Sequence, residues 1–394
     1  MLAVDYDRLP IQQWLGRLGA EVTEDPYGVQ GVFSSGKGIL DAKSGVGAAA
    51  PSLQIEPKGQ IFPLSDLGLI QVNGAEAVKF LHAQLTNDVE KLQETHWRWF
   101  GYCNAKGRMQ LSAAGYKKGE AIFLICSRPL AAPVAKRLGM FVMRAKAKVF
   151  DASSACEIYG LQGDIGPLLN RLGVSAMAPK SGDRLSIVWG NETLELLALE
   201  SVSGVGVGLD GPPTMRFLLV APTSSAVWAE ALASGFIPAN SAWWRQSEVA
   251  TASARIVPAT YELFVPQMLN FESLGGVDFK KGCYPGQEVV ARSQYLGKLK
   301  RRMFIATIES GTSPSTANAF EPAPAIDVWA SDSIDMKEPC GQVVLASSVS
   351  GQAVQVLFEA QTGAVEQGQI GLRDSVGQWH PLALRPLPYA LLEI

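Results

Sequence analysis

The sequence predicts an α+β protein that ends in an all-β domain. Between residues 60 and 240, short apolar strand patterns come in groups separated by helical periods. After residue 303 the helical periods cease, and only short apolar alternations remain between Gly, Pro, Ser and Asp. The length, 394 residues, allows two or three domains.

The elements follow in order. Ile11, Trp14, Leu15 and Leu18 fall at helical spacing, and the rest of residues 1–59, rich in Gly and Ser, reads as an irregular N-terminal extension. Residues 61–72 give a strand pattern running into an Asn73-Gly74 turn. A helix follows over 75–85, with Val78, Leu81 and Leu85 on one face. Residues 98–103 and 109–114 read as strands joined by Asn104-Ala105-Lys106-Gly107-Arg108, and 121–126 as a third. Then come a helix over 133–143 and a strand over 146–151. The pattern recurs loosely as a strand at 156–161, a helix at 164–172, strands near 184–199 and 216–221, and a helix at 223–234. This divides the chain into an extension (1–59), an α+β region of two subdomains (60–302) and a β-barrel or sandwich (303–394). Residues 314–324 read as a Pro- and Ala-rich exposed loop.

Composition narrows the function. Apolar content of 47% and charged content of 18% fit an ordinary globular protein, and a net charge of −3 argues against a chain that coats nucleic acid with its whole surface. The five cysteines are widely spaced without a CxxC, which predicts free thiols in a reducing compartment. With three histidines, a built-in metal site is not expected. Neither a secretory leader nor an apolar run of membrane-spanning length is visible, so the expectation is a cytoplasmic protein without a membrane partner.

The densest chemistry lies in Lys280-Lys281-Gly282-Cys283-Tyr284-Pro285-Gly286-Gln287-Glu288, followed by Arg292. Cationic neighbours favour a thiolate, which makes Cys283 the candidate reactive thiol, with Lys281 and Arg292 as the groups that would favour it. A half-buried cysteine in a tight turn is the plainer alternative. Gln287 is expected to open a helix. Residues 280–302 hold seven Lys/Arg against one acid, Glu288, a density that suits a polyanion such as a polyglutamylated tail or an RNA backbone, or simply a solvated basic face. Cys103, Cys126 and Cys156 sit in apolar strand contexts as small core residues, and His82 reads as a packed or surface histidine.

Lys281 to Glu288 resembles the KGCYxGQE signature of the YgfZ family, folate-binding, tRNA-modification and iron–sulfur-related relatives of the glycine-cleavage T-protein. Pro266-Gln267, Asn270, Phe279-Lys280, Arg292, Gly297, Lys300 and Arg301 agree with that context. Gly74-Ala75-Glu76-Ala77, Phe80-Leu81 and Gln84-Leu85-Thr86-Asn87-Asp88-Val89 are similar to the family's first block, and Asn104-Ala105-Lys106-Gly107-Arg108-Met109 to its second. The resemblance spans about 60 to 390. It implies a three-domain T-protein-like architecture around a central folate channel, with a C-terminal β-barrel. It also implies a tetrahydrofolate or derivative as cofactor, and iron–sulfur enzymes such as tRNA-thiolating enzymes as partners, with tRNA contact possible. Trp244, Asp88, Lys106, Gly286, Gln287 and Glu288 are the folate-side candidates, with core packing for Trp244, a helix-end role for Asp88 and a plain surface hairpin for Lys106 as the alternatives; no metal ligand is among them.

The chain departs from the family in several places. Leu67 stands where some members carry an aromatic residue, which leaves Trp244 as the aromatic candidate for a pterin. Ala250-Thr251-Ala252-Ser253-Ala254 replaces a Gly-containing stretch. Leu111-Ser112 stands where aminomethyltransferases carry an acidic pair, and one-carbon transfer needs a carboxylate to steer the folate nitrogen. The reading is therefore a folate-binding accessory protein, with a transferase-like protein lacking classical aminomethyltransferase activity left open. A one-carbon transferase and an RNA-binding module using 280–302 are the alternatives.

Overall fold

In the computed structural model, the described residues are 8–32, 58–175, 178–203, 213–295, 299–308, 320, 322–331, 338–349 and 353–392. Most of the expected N-terminal extension and of the expected loop over 314–324, together with Gly297 and Lys298 of the motif context, lie outside them. The chain forms two compact units, each built from separated stretches: residues 1–68 with 152–244, and residues 69–151 with 245–394.

The first unit is organised on a six-stranded sheet. Its order is Arg184–Trp189, Glu192–Ala198, Arg216–Pro222, Cys156–Gly163, Gly59–Pro63 and Phe236–Pro238. The last pair is parallel and the other neighbours are antiparallel. One face carries Ile61, Tyr159, Leu161, Phe217 and Leu219 into a core closed by helices Gly166–Arg171 and Val227–Ala233. Helix Arg8–Arg17 also reaches this core: the Trp14 indole donates to Tyr159 Oη at 3.1 Å. Residues 21–32, expected to be irregular, form an antiparallel pair, Glu21–Asp25 with Gly28–Val32. The exposed Glu21–Glu24 run hid that strand from a pattern search.

The opposite face of this sheet carries a buried polar row among apolar residues. Gln60, Gln162 and Arg216 are successive register partners across three strands, so their side chains share one face. Trp244, on helix Ser241–Ala250, covers Gly160 on that face so closely that a Cβ there would stand 2.5 Å from the ring. Phe62 lies 5.7 Å from the same ring, centroid to centroid.

The second unit holds a five-stranded sheet in the order Trp97–Cys103, Met109–Lys118, Ala121–Ser127, Leu67–Asn73, Lys148–Asp151. The single pattern at 61–72 is thus two strands, broken between Pro63 and Leu67 and assigned to different sheets. The helix expected over 133–143 begins at Arg128, with Pro129 in its first turn where the missing N–H costs nothing. Residues 301–385 close a six-stranded barrel in the order Arg301–Ile308, Gln355–Gln361, Gly341–Ser347, Asp327–Ala330, Ile370–Arg373, Trp379–Arg385. Val328, Val343, Val356, Phe358, Ile370 and Leu372 fill it.

Candidate functional site

The cysteine turn is assembled within the second unit from three stretches far apart in sequence. The first is the short helix Ala77–His82 and the residues after it. Thr86 and Asn87 clamp the run-in to the motif: Thr86 Oγ1 donates to Gly276 O at 2.6 Å, Asn87 Nδ2 donates to Gly275 O at 2.7 Å, and Asp278 N donates to Thr86 O at 3.0 Å. Thr86 Oγ1 also accepts from Gly101 N at 2.8 Å, and Asn87 Nδ2 reaches Trp99 O at 2.9 Å. Two short polar side chains, both buried, therefore tie sheet, helix end and motif together.

Lys281 is the second tie. It is 7% exposed, and its ammonium donates to the backbone carbonyls of His82 and Leu85, the latter at 2.7 Å, while lying 4.7 Å from the centre of the Tyr284 ring. A lysine at a helix C-terminus satisfies carbonyls that the helix leaves unpaired. Burial lowers its pKa to about 8, against the pull of Asp88, Asp278, Cys283 and Glu90.

The third stretch is the Asn104–Arg108 turn. Asn104 Oδ1 accepts from Lys106 N and Arg108 N at 2.9 and 3.0 Å, holding a compact loop. Gly286 rests against it with φ +79°, and a Cβ there would meet Asn104 O at 2.4 Å and Gly107 Cα and N at 2.6 Å. Only glycine fits both the backbone conformation and the gap. Helix Gln287–Tyr295 follows, pinned by Gln267 Nε2 donating to Val290 O at 2.7 Å. Asn270 Nδ2 donates to Met303 O at 2.9 Å, anchoring the same segment to the first barrel strand.

On this frame Cys283 is exposed. Among the described cysteines it is the exposed one; Cys103, Cys126 and Cys340 are buried and Cys156 is intermediate. Burial pushes the Cys103 thiol up to about 12 and raises Cys126 further. Gln287 is half-buried, Glu288 and Arg292 are exposed on the following helix, and Lys106 is exposed on the Asn104 turn. Asp88 is buried between His82, at 3.2 Å, and Lys91, at 2.8 Å. Burial works against its charge, but the Lys91 side-chain and backbone hydrogen bonds outweigh it and keep the carboxyl below its usual range. Trp244 belongs to the first unit, 3% exposed, with the Arg216 guanidinium 5.4 Å from its ring centre. Sequence reasoning passed over Thr86, Asn87 and Asp278 as individual site residues, and read His82 as a packed or surface histidine. For Thr86 and Asn87 the signal was the Leu85-Thr86-Asn87-Asp88 block, and these two side chains hold the motif in place.

The basic run over 280–302 does not become an equally basic surface. Arg301 is paired to Glu359, Arg302 is buried against Glu272, and Lys281 is buried as described. Among the described residues of the run, Lys280, Arg292 and Lys300 are exposed. Leu111 and Ser112, which the sequence comparison expects in place of an acidic pair, are buried, and Ser112 Oγ accepts from Ile256 N at 2.9 Å.

The architecture is that of the glycine-cleavage aminomethyltransferase fold, completed by a C-terminal six-stranded barrel. The aminomethyltransferase T of Bartonella henselae superposes with a TM-score of 0.65, over 97% of both chains, at 13% identity. Within that fold the chain is a relative of the YgfZ family. It is 27% identical to the tRNA-modifying protein YgfZ of Photorhabdus laumondii over 334 residues, 84% of this chain and 93% of that one. The YgfZ of Yersinia enterocolitica matches at the same identity and coverage. No family model matches the chain. No helix among the described residues is long and apolar enough to cross a membrane.

Proposed function

We propose that this chain is a tetrahydrofolate-binding accessory protein that supports iron–sulfur enzymes and tRNA modification in the cytoplasm, with the Cys283 thiol as its working group. The observation that carries the reading is the exposed thiol of Cys283 on a turn held from three sides by buried hydrogen bonds and a glycine contact. A thiol presented this way reaches a partner macromolecule or a small electrophile without local unfolding. The likeness to tRNA-modifying YgfZ proteins over most of the chain supports the same assignment.

The residues fit a folate. The Gln60 amide is 1% exposed, and neither of its atoms has a hydrogen-bond partner. It heads the row that continues through Gln162 to Arg216, beside the Trp244 ring. A pterin is flat and presents alternating donors and acceptors, so a buried amide, a guanidinium and an indole suit it. Gln60 and Arg216 would hold the ring with Trp244 as a wall. When bound, the folate supplies a one-carbon carrier. The chain's own residues do not provide the carboxylates that aminomethyl transfer needs at positions 111 and 112, where a leucine side chain packs and a serine hydroxyl serves the backbone. This favours an accessory role over the transferase reading. In this scheme residues 60–302 carry the folate and thiol functions and 303–394 the barrel.

Calorimetry with tetrahydrofolate tests the folate half. Wild type should bind, and Gln60→Met should bind about tenfold more weakly, the loss expected for one ~1.4 kcal/mol hydrogen-bonded contact. No heat of binding with wild type would remove the folate from the account.

A further inference from the structure

A cluster beside the cysteine turn serves no purpose in the scheme above. His82 ends its helix, and Asp88 and Glu90 follow within the next two turns of chain. Each offers one ligand atom, and the three atoms lie within 4.8 Å of one another. His82 Nδ1 stands 3.2 Å from Asp88 Oδ1. Two ligands each ~2.0–2.1 Å from a tetrahedral metal are separated by about 3.3 Å, so this pair is already at chelating distance. The third member, Glu90, is exposed and free to close the remaining gap by a side-chain rotation.

Nδ1 is buried, yet it forms no hydrogen bond: its approach to Asp88 lacks hydrogen-bond direction. A buried ring nitrogen without a proton partner costs free energy that a bound cation would offset. The opposite nitrogen faces the motif, since a Cβ at Gly282 would lie 3.6 Å from Nε2. The charges agree. Asp88, Asp278 and Glu90 stand around two ammonium groups: Lys91, 2.8 Å from Asp88 and 3.6 Å from Asp278, and Lys281, which feels all three carboxylates. Three carboxylates against two ammonium groups leave a net negative neighbourhood.

We propose that His82 Nδ1, Asp88 and Glu90 form a binding site for a divalent first-row transition metal, adjoining the turn that carries Cys283. One imidazole nitrogen with two carboxylate oxygens suits Zn²⁺, Co²⁺, Fe²⁺ or Mn²⁺; Mg²⁺ and Ca²⁺ prefer oxygen alone. The metal would fix the imidazole that abuts Gly282.

The test uses the full-length protein, stripped with chelator and titrated with Zn²⁺ by calorimetry and with Co²⁺ by visible absorption. One equivalent of each should bind. His82→Gln and Glu90→Gln should each weaken binding by at least about tenfold, the lower end of losses seen when metal-site residues are changed. Glu90 is exposed, so its variant keeps the fold and decides the matter even if His82→Gln does not. His380→Gln removes a second histidine–carboxylate pair, His380 with Asp374, and should leave binding unchanged. No uptake by wild type, uptake that survives both His82→Gln and Glu90→Gln, or uptake lost in His380→Gln would overturn the proposal and leave an ordinary histidine–aspartate pair.

Discussion

Replacing Gly286 with alanine probes how the cysteine turn is held. The residue sits at φ +79°, where an L-side chain costs about 1–2 kcal/mol. The new Cβ would also stand 2.4 Å from Asn104 O and 2.6 Å from Gly107 Cα and N. These are backbone atoms of a loop closed by its own hydrogen bonds, so they cannot swing aside as a side-chain tip would. Overpacking of this kind costs a further ~1–3 kcal/mol. The expected total is about 2–5 kcal/mol of folding free energy in urea denaturation, together with a changed alkylation rate at Cys283 as the turn lifts off its support. Gly275→Ala is the control: φ is +73° there, but nothing lies within 4 Å, so only the ~1–2 kcal/mol conformational cost applies. Gly282→Ala, whose nearest neighbour is His82 Nε2 at 3.6 Å, should be within about 0.5 kcal/mol of wild type. If Gly286→Ala costs no more than Gly275→Ala, the contact with the Asn104 loop does not hold the turn, and the assembly argument fails.

Iodoacetamide on the native protein at neutral pH should label Cys283 first. Cys103, raised from an ordinary 9.0 to about 12 by burial, has its thiolate fraction cut about a thousandfold, and peptide mapping that finds Cys103 or Cys126 labelled as fast as Cys283 would contradict the burial pattern. Gln60→Met, besides weakening folate, should raise folding stability by roughly 1 kcal/mol, because it removes an unpaired buried amide; a loss of that size would mean the amide is satisfied in solution. Glu272 is raised above its ordinary 4.5 chiefly by burial, with Arg302 opposing the shift. Its contribution to stability is therefore fullest below the unfolded value and declines as pH rises through the folded one. Glu272→Gln should accordingly give a flatter stability–pH curve above pH 4.5, and parallel curves for variant and wild type would refute the assignment.

Much of this protein is legible in its sequence, for identifiable reasons. The strands at 97–127 and 156–222 announce themselves because β-branched, aromatic and leucine residues line up between clear turns such as Asn104-Ala105-Lys106-Gly107. The split at Pro63–Leu67 is illegible because both strands are buried on each side, which removes the alternation that marks a boundary. The polar row of the first sheet is hidden for a related reason: Gln60, Gln162 and Arg216 line up only through register, which no local window contains. Lys281 misleads in the opposite way. By sequence it is one cation of a basic run; in the fold its charge is spent on two carbonyls and an aromatic ring. Charge density along a chain predicts surface charge only where the side chains reach solvent, and Arg301 and Arg302 are likewise taken up by Glu359 and Glu272. The motif itself identifies Cys283, but its support by Thr86 and Asn87 depends on contacts across about 190 residues of sequence.

The role of the Cys283 thiol is tested most directly in cells lacking this gene, by quantifying thiolated tRNA nucleosides by mass spectrometry after complementation. Wild type should restore their level, Gly282→Ala should do so nearly as well, and Cys283→Ser, a change at an exposed site that leaves the fold intact, should fail. Full restoration by Cys283→Ser would show that the thiol has no part in the function.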